Sequence, residues 1–212
     1  MRGRAVLLLG VCACNPDVSP GVDAPPAQAT LTISGTVTAR VGTAAAVPAS
    51  GVTIGADRNG VAMPIATTTT DAAGAYALVV DSGGVPLDTL EASQPSLVPL
   101  VIYLSRPIIA DVTASFEMVD SVALSTTIKD SCHTTLEPTV EVRVDDASGA
   151  TVTDAVVSSQ PRALRYCTAN GITYLFGVTG SLAISATRAG KVLGSRTIAA
   201  RFGTLTLLLL GP

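Results

Sequence analysis

Residues 66–80 read ATTTTDAAGAYALVV, and this stretch limits the fold more than any other. Thr67 to Thr70 are β-branched, and such side chains suit a pleated, half-buried surface. Asp71-Ala72-Ala73-Gly74 then makes a turn. Asp71 can accept hydrogen bonds from turn amides, and Gly74 can take the left-handed backbone of a tight reversal. Tyr76, Leu78 and Val80 alternate with outward positions at the period of a strand. Tyr76 adds a large ring with a polar tip, which suits burial. Asp71, Gly74 and Tyr76 therefore read as structural turn residues rather than a ligand site.

The same grammar runs along the chain. Leu31, Ile33 and Val37 alternate with Thr and Ser, Gly51-Val52-Thr53-Ile54 starts another strand, and Asp57-Arg58-Asn59-Gly60 is a hairpin signal. Composition agrees: 48% of residues are hydrophobic but only 3% are aromatic and 14% charged. The apolar content is mostly Ala, Val, Leu and Ile, with Thr, Ser and Gly between, a mixture that favours strands and turns. A second series follows. Glu141 to Val144 is a strand, Asp145 to Ala150 a turn, and Thr151 to Val157 the expected return strand. Gly171-Ile172-Thr173-Tyr174 echoes Gly74-Ala75-Tyr76, and Thr204 to Leu210 reads as a buried closing strand. Pro107 to Ile128 is the join, with Ser115 to Asp120 either a helical turn or an edge strand.

Ile33-Ser34-Gly35-Thr36-Val37, Gly51-Val52-Thr53-Ile54 and Thr70-Asp71-Ala72-Ala73-Gly74-Ala75-Tyr76 together resemble the carboxypeptidase regulatory-like domain. The resemblance implies a transthyretin-like β-sandwich over about residues 30–105. It concerns an accessory domain and implies no peptidase. The later half resembles the same sandwich or an immunoglobulin-like relative. The expected class is all-β: two tandem antiparallel β-sandwiches, over 29–112 and 113–212.

The N-terminus reads as an address. Arg2 and Arg4 precede an apolar run from Ala5 to Ala13, the layout of a secretory signal and too short to span a bilayer. Val11-Cys12-Ala13-Cys14 resembles the lipobox of bacterial lipoproteins, which implies a signal peptide over 1–13, cleavage before Cys14, and a lipid such as palmitate on Cys14. A plain signal peptide and a Cys-x-Cys metal site are the alternatives, though residues 15–50 hold neither His nor Cys for a metal. Residues 14–28, with four prolines, read as a flexible tether. Asn15 after the modified cysteine suggests the outer membrane.

With Cys14 lipidated and Cys12 lost with the leader, Cys132 and Cys167 remain. Exported chains meet oxidising conditions, so these two are expected to form a disulfide. His133 is the only histidine. A Cys132–His133 nucleophile pair would point to opposite faces of a strand, and no triad or zinc set can be assembled without His133. Asp145-Asp146 and Asp57 with Asn59 read as solvated turns, with weak Ca²⁺ binding the sharper alternative. The net charge of −3 carries no basic run, which argues against nucleic acid. The expectation is a non-enzymatic, lipid-anchored envelope protein with no cofactor. Its partners would be the membrane, through the lipid, and an envelope protein met at a loop or edge strand. The alternative is an accessory lipoprotein that binds glycan, peptidoglycan or calcium.

Overall fold

A computed structural model describes residues 30–57, 64–83, 86–134, 138–146, 148, 150–169, 171–201 and 203–211. In chain order the strands are β1 (Thr30–Arg40), β2 (Val47–Pro48), β3 (Thr53–Asp57), β4 (Ala66–Thr69), β5 (Ala75–Asp81), β6 (Leu87–Ser93), β7 (Leu100–Ile108), β8 (Val112–Thr113) and β9 (Phe116–Val119). Helix α1 (Ser121–Cys132) follows. Then come β10 (Pro138–Val144), β11 (Val156–Gln160), β12 (Arg165–Ala169), β13 (Ile172–Phe176), β14 (Gly180–Arg188), β15 (Lys191–Ala200) and β16 (Leu205–Leu210).

The all-β expectation holds, and the layers stack as sandwiches that share their middle sheet. An eight-stranded sheet, β12-β13-β10-β16-β7-β6-β3-β4, draws strands from both halves of the sequence. A five-stranded sheet built on β1, with β5, β2, β8 and β9, covers one face. The three-stranded sheet β11-β14-β15 covers part of the other. Most ladders are antiparallel. β16 runs parallel to both β7 and β10, and β8 and β9 run parallel to β1.

β16 explains the shared sheet. Its sequence LTLLLL is buried at every position. Leu205, Leu207 and Leu209 enter the first core, while Leu208 and Leu210 enter the second. A strand covered on both faces needs an apolar run rather than an alternation, as in buried parallel sheets. The residue 112 boundary expected from the sequence falls within β8, in a segment laid along β1.

Two local readings change. Thr151–Val157 does not return along β10. Only an isolated Asp145–Thr151 bridge forms, and Val156–Gln160 pairs with β14 instead. β10 already has β13 on one side and β16 on the other, so it has no edge left. Within the join, Phe116–Val119 is a strand and the following twelve residues form α1. Asp120 caps that helix by accepting the Ala123 N–H at 2.7 Å. Leu124, Ile128 and Cys132, spaced four apart, face the first core.

Candidate functional site

The Thr70–Tyr76 turn is a structural joint, and every position of its motif makes a contact. Thr70 Oγ1 donates to Ala49 O at 2.6 Å and accepts from Val52 N at 2.9 Å. Asp71 Oδ1 accepts from the amides of Ala73 and Ala75, at 2.8 and 2.9 Å. Gly74 sits at φ +73°, and a Cβ there would lie 2.3 Å from Val37 O. Tyr76 Oη donates to Ala114 O at 2.6 Å, and burial pushes its hydroxyl well above the ordinary value.

Ala114 is the partner that sequence reasoning missed. Its carbonyl oxygen lies against Gly35, where an added Cβ would be 2.0 Å away. Around it, Asp111 Oδ1 accepts the Thr32 N–H at 2.7 Å, Ser115 Oγ accepts the Thr36 N–H at 3.0 Å, and Ala114 N donates to Ser34 O at 2.7 Å. Residues 111–115 thus strap β1. The clue was Gly35 itself, a strand glycine of the kind that marks close backbone approach.

Cys132 and Cys167 form a disulfide, S–S 2.00 Å with Cα atoms 5.7 Å apart. It joins the end of α1 to β12, the outermost strand of the central sheet. Arg165 adds a donor to Cys132 O at 3.0 Å. A helix thereby lies against an edge that would otherwise offer free backbone groups. His133 is the exposed C-cap of α1, at φ 50°, its N–H donating to Lys129 O.

Cys14 and Cys12 lie outside the described residues, as do Asn59 and Gly60. Asp57 ends β3 and is buried. Asp145 pairs with Arg143 at 2.6 Å. Asp146 repeats the Asp71 turn: it accepts from Ser148 Oγ at 2.6 Å, Ser148 N at 2.9 Å and Ala150 N at 3.0 Å. Those bonds, the Ser148 hydroxyl first, hold its carboxyl below the usual range. Among the described residues no group of three or more His, Cys, Asp or Glu side chains is placed to hold a metal ion.

Among the described edge strands, β15 borders a groove. Its ten residues pair with β14 on one side, and it is an end strand of its sheet. Ala199 N donates away from β14, to Tyr103 Oη at 3.2 Å. By the alternation of an antiparallel ladder, the backbone groups of Ser195 and Thr197 point the same way. They face a groove of about 440 Å³, with Leu104, Leu209 and Leu210 on its walls. Arg196 crosses the groove floor. It donates to Leu104 O at 2.6 Å and Asp88 Oδ2 at 2.5 Å, and it stacks on Tyr103 with Cζ 5.1 Å from the ring centre. Sequence reading singled out neither residue, because Asp88 and Arg196 stand 108 positions apart.

No family model matches the chain, and no curated protein matches it. Among solved structures, a shaft pilin mutant from Lactobacillus rhamnosus GG is similar at 12% identity and TM-score 0.31, over 86% of this chain and 97% of that one. A streptococcal ancillary pilin is similar at 11% identity and TM-score 0.27, over 87% and 63%. The Bacillus anthracis TIE protein is similar at 10% identity and TM-score 0.26, over 85% and 33%. At these values the likeness adds nothing to what the strands themselves establish about the fold.

Proposed function

We propose that this chain is a lipid-anchored cell-envelope protein with a non-catalytic, protein-interaction role, and that β15 is the edge it offers. The N-terminal reading supports the anchor: a basic start, a short apolar run, Val11-Cys12-Ala13-Cys14, then a proline-rich tether. Cys14 carries the lipid, and Asn15 after it favours the outer membrane. The observation that carries the interaction role is the one-sided pairing of β15, with outward backbone groups along a groove lined by both polar and apolar residues. Strand addition uses such an edge, main-chain bonds giving affinity and pockets giving selectivity.

Thr197→Pro tests this reading. It removes one outward N–H and leaves the β14 ladder intact. The full chain, solubilised from membranes, is expected to capture an envelope protein that the variant loses. Binding to sacculi with no protein captured would overturn the interaction role in favour of a glycan- or peptidoglycan-binding accessory protein. Labelled palmitate retained on Cys14→Ala would overturn the anchor separately.

A further inference from the structure

β15 is an end strand of its sheet, yet it does not stand at the edge of the molecule. Tyr103 of β7 reaches up to Ala199 N, and Gly194 lies against Leu210 and Gly211 at the end of β16. β16 and β7 therefore run beneath β15. The central sheet continues past them through β6, β3 and β4. At the usual strand spacing those three strands add about 14 Å of sheet beyond β15. Ile54 and Ala56 of β3 enter the first core, so Gly55 between them faces the other way. There it meets Pro64, whose Cβ would lie 2.7 Å from a Cβ on Gly55. β15 and Pro64 thus form two walls with β6 between them. Two ion pairs cross this floor. Arg196 meets Asp88 at 2.5 Å, and Arg201, just past β15, meets Glu91 at 3.5 Å. Each arginine is matched by one carboxylate, so the floor is formally neutral.

We infer that the partner β15 takes is a single extended, uncharged segment of a protein chain, laid over β6 between β15 and Pro64, rather than a folded edge or a second copy of this chain. This rests on the reading of β15 as the interaction edge. A second copy paired edge to edge would carry its own central sheet back toward this one. It would meet β6, β3 and β4 in the same layer, and the two sheets cannot occupy one space. A lone segment has no second layer behind it, so the shelf does not obstruct it.

The same contacts limit the segment's length and chemistry. Ser195 and Thr197 hold the outward groups. Past them Ala199 N is already taken by Tyr103 Oη, and before them Gly194 is packed on Gly211. The ladder is therefore only a few residues long. Alternate side chains of the segment point inward, onto Leu104, Leu209 and the matched ion pairs. A charge placed there would lose water and find no unmatched opposite charge. Residues 14–28 of this chain are ill suited to the place. They carry Asp17, Asp23 and four prolines, and proline donates no ladder bond.

Fluorescence anisotropy tests this, with the full chain in detergent and a labelled acetyl-Thr-Val-Thr-Val-Thr-amide peptide as probe. Saturable binding is expected. Thr197→Pro should weaken it about tenfold, through the lost ladder bond and the ring in its place. Lysine or glutamate in place of both valines should each weaken it by about the same factor. The peptide methylated at every amide nitrogen donates no bond and should not bind, a check that needs no variant. Absence of saturable binding, equal binding of the methylated peptide, or tighter binding of a charged one overturns the inference. The two readings fail differently. Self-association of the chain that Thr197→Pro abolishes, with the peptide unbound, overturns the lone segment and leaves the β15 edge standing. Peptide binding unchanged in Thr197→Pro removes β15 itself as the site.

Discussion

The two layers that cover the central sheet are held in different ways. Within the first, backbone meets backbone: Ala114 O lies against Gly35, and Val37 O against Gly74. On the second, long polar side chains make the ties. Arg196 reaches from β15 to Asp88 and Leu104, and Tyr103 Oη reaches back to Ala199 N. Tyr166 of β12 adds its Oη, which accepts from Ser159 N of β11 and from Ala163 N, each at 3.2 Å. Backbone contacts at glycine have no adjustable part, whereas side chains can move to absorb a change. The first layer should therefore be brittle and the second forgiving, although both cover one sheet.

Gly35→Ala is the largest test. Its Cβ would fall 2.0 Å from Ala114 O, and the obstacle is backbone. A loss of about 3 kcal/mol or more is expected in urea unfolding. A loss under about 1 kcal/mol would break the contrast, since overpacking that small is readily absorbed.

Removing a hydroxyl from each side sharpens it. Tyr76→Phe leaves Ala114 O without its bond and should cost about 2 kcal/mol. Tyr166→Phe takes one partner from Ser159 N, while Ala163 N keeps Ser159 Oγ at 3.1 Å. Its cost should stay near 1 kcal/mol, about one ordinary net hydrogen bond. Equal thermal shifts in the two variants would remove the distinction.

The smallest effect belongs to the strand both faces share. Thr206 Oγ1 is buried in β16 with no hydrogen-bond partner. Thr206→Val keeps the shape and removes an unpaired polar atom, so it should stabilise by up to about 1 kcal/mol. A destabilised variant in calorimetry would mean that the hydroxyl has a role in the shared strand.

Much of the fold was legible in the sequence because strands and turns are local. Thr67–Thr70, Asp71-Ala72-Ala73-Gly74 and the alternation of Tyr76, Leu78 and Val80 give β4, the turn and β5. LTLLLL reads as a buried strand because no solvent face is provided for. The helix was hidden by its Ser- and Thr-rich sequence, SVALSTTIKDSC. Its signals were the Asp120 cap and the four-residue spacing of Leu124, Ile128 and Cys132. The apparent echo of Tyr76 at Tyr174 was misleading as a repeat. The two rings come from opposing sheets and enter the same first core.

By itself, then, the sequence determined the strand vocabulary, the joint at Asp71, Gly74 and Tyr76, and the all-β class, because period and turn chemistry act over a few residues. The pairing of Cys132 with Cys167 was reachable only through the lipobox resemblance, which sets Cys12 and Cys14 aside; four cysteines alone allow three pairings. Only the tertiary structure decided that β16 enters parallel between β7 and β10 and so fuses two sandwiches through one sheet. It alone put Ala114 against Gly35, left β15 with an open side, and tied Arg40 to Glu117 and Thr127. These are contacts between residues tens of positions apart, and local pattern carries no record of which distant strand fills an edge.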